Sequence, residues 1–103
     1  MRCLTPDRVL FNDLDEAAAQ TWAKKLHTQP AADWDDVVTY CGWKDVSSVY
    51  LVCEGDVCIP PPMQLRMAET AGSKFEKCAA GHMVMLSMPE KVAEVVENAA
   101  ADS

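Results

Sequence analysis

The sequence has no run of apolar residues long enough to cross a bilayer. Its uncharged stretch SSVYLVC, Ser47–Cys53, falls far short of the roughly 20 residues a spanning helix needs. The opening MRCLTPDRVLFNDLDE lacks an apolar core followed by a small-residue cleavage site, so it does not read as a signal peptide. Positive charge is also scarce: 9 Lys and Arg stand against 16 Asp and Glu, a net charge of −7. That balance argues against nucleic acid and anionic membrane surfaces as partners, although acidity by itself names no substrate. No C-x-x-C occurs. The five cysteines (Cys3, Cys41, Cys53, Cys58 and Cys78) are odd in number, and two of them sit inside apolar strand-like runs. This is the pattern of reduced, buried thiols in an intracellular, cytoplasmic protein. A disulfide framework or a metal site would look different, and no cofactor is expected. There is no internal repeat and no low-complexity segment.

Half of the 103 residues are hydrophobic, enough for one small ordered domain or a piece of a larger one. Their spacing identifies the elements. In NDLDEAAAQTWAKKL, Asp13 and Glu16 make a pair like a capping box. Leu14, Ala18, Trp22 and Leu26 recur every fourth residue, and Lys24 and Lys25 fall where cations suit a helix end. Pro30 stops the helix. In AADWDDVVTYCGW, Trp34, Val37, Val38 and Cys41 fit one helical face, but the stretch is ambiguous.

Val49–Cys53 is continuously apolar and rich in β-favouring residues, the pattern of a parallel strand buried on both faces. IPPPMQLRMAETAG then opens a helix on prolines and reaches Gly72 where a C-cap belongs. SKFEKCA is a short second strand. Ser87 and Glu90 form an S-x-x-E box at the start of a last helix, with Met88, Val92, Val95, Val96 and Ala99 as its buried stripe. The order strand, helix, strand, helix over residues 48–101 implies an α/β fold with parallel strands joined by a right-handed crossover.

In open α/β sheets function gathers beyond the carboxyl ends of the strands. Asp56 follows the first strand and His82 the second, so parallel neighbouring strands would bring both to one sheet edge. An aspartate that accepts the Nδ1 proton of a histidine fixes its tautomer and frees Nε2 as a general base. The plainer alternatives are that Asp56 after Gly55 is a turn residue and that His82 is a loop histidine bonded to backbone.

Two motifs carry a resemblance. D-x-x-I-P-x-x-x-Q runs from Asp56 to Gln64, and G-H-M-x-M-L-S-x-P from Gly81 to Pro89. Together they resemble the C-terminal part of α/β-hydrolase fold proteins, nearest the branch of plant methyl esterases, hydroxynitrile lyases and their microbial relatives. The resemblance covers roughly residues 47–101. It implies the strand–helix–strand–helix portion of a hydrolase parallel sheet (47–103), preceded by a cap- or lid-tail-like segment of one or two helices (1–46). It further implies that Asp56 is the triad acid and His82 the general base, acting on a small-molecule ester or carbonyl compound. Met83 and Met85 are candidates for lining the acyl pocket, with core packing the other use of flexible thioethers.

The family's nucleophile sits in G-x-S-x-G, and none of Ser47, Ser48, Ser73, Ser87 or Ser103 has that context. No H-G-G-G-like stretch offers an oxyanion hole. Cys58 is a conceivable substitute thiol, but it is not on an elbow. Two expectations follow. In one, the chain supplies the Asp–His pair of a serine-type esterase site, completed by a complementary N-terminal half or by self-association. In the other, it is a stand-alone non-hydrolytic remnant acting in ligand binding or assembly, or a lyase or cyclase using His82 as base.

Overall fold

The computed structural model describes residues 2–102. Its elements in chain order are α1 (Pro6–Val9), α2 (Glu16–Ala23), a 3-10 turn (Gly42–Lys44), β1 (Val49–Cys53), α3 (Pro61–Ala71), β2 (Lys74–Cys78), α4 (Val84–Ser87) and α5 (Pro89–Ala101). The strands pair in parallel, from Val49 opposite Lys74 to Cys53 opposite Cys78. The α/β reading of the sequence holds, and β1 spans the apolar run from which it was read.

α3 shows why this crossover forms. Pro61 and Pro62 occupy the first turn, where a missing N–H costs nothing. Gly72 closes the other end at φ 68°, with its own amide bonded to Glu69 O and the Ser73 amide to Ala68 O. The core lies at the carboxyl ends of the strands. Cys53, Cys78 and Ala80 are buried together, with Leu51, Val84 and Met88 packed against them. All five cysteines are free thiols.

Four expectations are corrected. Asp15, not Asp13, caps α2, accepting the Ala18 amide at 2.8 Å, because Asp13 is engaged elsewhere. Ala19 is the buried residue on that helix, while Trp22 and, beyond its end, Leu26 remain 37% and 41% exposed. Residues 34–41 form no helix; a turn over residues 32–35, with Asp33 at φ 71°, is followed by irregular chain, with Trp34, Val37 and Val38 exposed. An amphipathic helix draws its stability from a surface that buries its face, and no such surface lies here. Finally, the Ser87–Glu90 capping box does not form. Ser87 ends α4, and α5 starts on Pro89 with Met88 as the junction. The Ser87 hydroxyl is buried without a partner among the described residues, and Val96 of the expected buried stripe is exposed.

β1 has one neighbouring strand. Among the described residues that neighbour is β2; no strand pairs the other edge, where Gln64 takes up the amide and carbonyl of Cys53.

Candidate active site

The pairing between the strands continues past their ends. The Glu54 amide bonds Cys78 O at 2.8 Å, and the Gly55 amide bonds Ala80 O at 3.0 Å. Gly55 has to be small, since a Cβ there would lie 2.8 Å from Ala79 O. The two loops therefore leave the sheet side by side, with Asp56 on one and His82 on the other.

Asp56 is buried and its carboxylate is fully used. Oδ1 accepts the amides of Cys58 (2.8 Å) and Ile59 (3.0 Å), an Asx-type turn. Oδ2 faces His82 Nδ1 at 3.0 Å. Burial opposes ionisation, but the Ile59 amide, His82 and the Cys58 amide outweigh it and hold the carboxyl below its ordinary range. An ionised carboxylate can only accept, so Nδ1 is the donor of this bond, and in the neutral form of the ring Nε2 carries the lone pair.

His82 keeps about a quarter of its side chain exposed and lines a cavity of about 700 Å³. The wall is largely apolar, with Val9, Leu10, Leu26 and Trp34 facing Cys58 and His82. It is built where residues from the first 46 positions meet the acid loop. Met83 is half-buried and Met85 is 52% exposed. Neither is among the described residues lining this cavity. Cys58 is a poor stand-in nucleophile: burial, then the nearby Asp56 and Cys3, push its thiol up and away from the thiolate form.

Three further residues hold this arrangement. Gln64, at 2% exposure, reaches from α3 to the end of β1. Its Oε1 accepts the Cys53 amide (2.9 Å), and its Nε2 donates to Ile59 O (2.7 Å) and Cys53 O (3.0 Å), with Asp56 Oδ2 at 3.5 Å. It thereby joins the base of the acid loop to the loop's far side. Gln64 was visible in the motif that begins at Asp56, and it lies one helical turn before the buried Ala68, a position where a polar side chain needs buried partners. Asn12 and Asp13 are the other two. Asn12 Nδ2 donates to Gly55 O at 2.8 Å, and Asp13 Oδ2 accepts the Gly81 amide at 2.6 Å. Neither was marked in the sequence, where Asp13 reads as the cap of the following helix.

Fold and site together define an α/β protein whose strand-end loops present a bonded acid–histidine pair. A family model described as "Alpha/beta hydrolase family" matches residues 1–95, and the chain belongs to that family. It is 33% identical over 97 residues to the protein named "Alpha/beta hydrolase nvfD" from Aspergillus novofumigatus (strain IBT 16806), a match covering 92% of this chain and 39% of that relative. The chain thus spans about two fifths of the relative's length. No solved structure matches it. Among the described residues no helix is long and apolar enough to cross a membrane.

Proposed function

We propose that this chain supplies the Asp–His pair of a serine-type esterase site acting on small esters, with the serine carried by a complementary N-terminal hydrolase half. The observation that carries this reading is the Asp56–His82 bond, made by a buried, ionised carboxylate to one nitrogen of a partly exposed imidazole. In the assembled site, His82 Nε2 takes the serine proton as the oxygen attacks the ester carbonyl. It returns that proton to the leaving alcohol, and water then hydrolyses the acyl-enzyme by the same route. Asp56 keeps the ring in its tautomer and stabilises the imidazolium. The cavity beside His82, largely apolar but also lined by Arg2 and His27, has room for a small ester, and the resemblance to methyl esterases points the same way.

The test is fluorophosphonate labelling and p-nitrophenyl acetate hydrolysis by the chain assembled with a half carrying G-x-S-x-G. His82→Ala is expected to abolish hydrolysis while light scattering shows the assembly intact, and Asp56→Asn to slow turnover by about 10⁴-fold. Full turnover in His82→Ala would remove the assignment.

A further inference from the structure

Asn12 and Asp13 lie far from Asp56 and His82 in sequence, yet each bonds the residue immediately before one of them. Asn12 holds Gly55, the neighbour of Asp56, and Asp13 holds Gly81, the neighbour of His82. The fit at Gly81 is close: a Cβ there would lie 2.4 Å from Asn12 Oδ1 and 2.8 Å from Asp13 Oδ1. The turn that presents the two side chains is itself fixed. Phe11 before it is buried at 3% exposure, its carbonyl accepts the Leu14 amide, and Asp15 starts α2 directly after it.

We propose that Asn12 and Asp13 are positioning residues, a clamp from the helical segment of residues 1–46 that sets the distance between the acid loop and the histidine loop. The inference rests on the reading of Asp56 and His82 as the working pair. The Nδ1–Oδ2 distance is 3.0 Å, and such a bond is largely lost by 3.6 Å. A shift of well under 1 Å in either loop therefore decides whether the imidazole is held. Gly81 lacks the side chain that would anchor it otherwise, so the bond from its amide to Asp13 is a direct restraint on the backbone that carries His82. The clamp also ties the loops to the cavity wall, since the same segment contributes Val9, Leu10 and Leu26.

The role is geometric, so it depends on the reach of the acceptor and not on its charge. Asp13→Asn keeps a side-chain oxygen at the same reach. Asp13→Glu keeps the charge but adds a methylene, and Asp13→Ala removes the acceptor. The readout is the low-field proton resonance of His82 Nδ1–H bonded to Asp56, recorded by NMR on the full chain with circular dichroism as the check on folding. The resonance is expected in the wild type and in Asp13→Asn, and is expected to be lost in Asp13→Glu and Asp13→Ala. If Asp13→Ala does not fold, the Asn and Glu variants decide the matter. The proposal is overturned if the resonance persists in Asp13→Glu, disappears in Asp13→Asn, or is absent from the wild type. The readout needs no turnover, so failure of the clamp is separable from failure of the esterase reading, which the hydrolysis by His82→Ala tests.

Discussion

At Asp56 two opposed effects meet, and their balance makes acid stability a probe of the site. Burial alone would favour the neutral acid. Two backbone amides and the imidazole favour the carboxylate more strongly, and the folded-state carboxyl sits below its unfolded value. The unfolded chain therefore binds a proton more readily at this position. Asp56 contributes its full stabilisation above about pH 4, the ordinary range of the group. That contribution is lost as the pH falls through the lower folded-state value. Urea unfolding followed by tryptophan fluorescence is expected to give a midpoint that drops on acidification below about pH 4. Asp56→Asn should flatten that part of the profile; an equal acid dependence in the variant would place the titrating group elsewhere. At this scale the sequence was informative about chemistry and silent about support. Asp56 and His82 were legible because strand ends and a family motif both marked them. Asn12 and Asp13 were not, because bonds to Gly55 and Gly81 depend on tertiary approach, and a local capping box explained Asp13 well enough.

Among the elements, legibility followed how local the determining physics is. β1 and α3 came through because an unbroken apolar run and a proline-to-glycine frame are local signals. The expected α5 start at Ser87 failed because Pro89, with φ fixed for a first helical position, competes for the same boundary. The expected face of residues 34–41 failed because helical periodicity has value only where something buries it. The frame of α3 gives a clean test, since Gly72 is needed for its φ of 68° and not for space: nothing lies within 4 Å of a Cβ built there. Gly72→Ala is expected to cost about 1 kcal/mol, the strain of an L-residue in the left-handed region, read as a lower urea midpoint with an unchanged slope. An unchanged midpoint would mean that the helix end relaxes and that the Schellman-type closure does not restrain β2. The same variant should leave the His82 resonance in place, because α3 reaches the site through Gln64 at its other end.

For the whole molecule, the surface argues for a partner. The Cα radius of gyration is 15.3 Å, against about 13 Å for a compact domain of this length. Trp34, Val37, Val38, Tyr40, Trp43 and Val46 are all 47% exposed or more. They belong to the connection between α2 and β1, and Trp43 also walls a largely apolar cleft of about 540 Å³ with Tyr50 of β1 and Met63 and Met67 of α3. An unpaired strand edge and a group of large exposed apolar side chains are features that monomeric proteins cover or blunt. Purified alone, the chain is therefore expected to scatter light with a mass well above the 11.3 kDa of one copy. If the proposed N-terminal half supplies a strand and an apolar face to this surface, adding it should convert that material to a one-to-one complex. Val38→Lys with Trp43→Lys places two cations on the patch and should lower the self-associated mass without altering the Asp56–His82 resonance, since neither residue lines the cavity at His82. A cooperative monomer at high concentration would mean that the edge is tolerated in water and that the esterase site needs no second polypeptide to explain this surface. A mass unmoved by the two lysines would put the contact on another face and leave the unpaired edge of β1 without the occupant proposed for it.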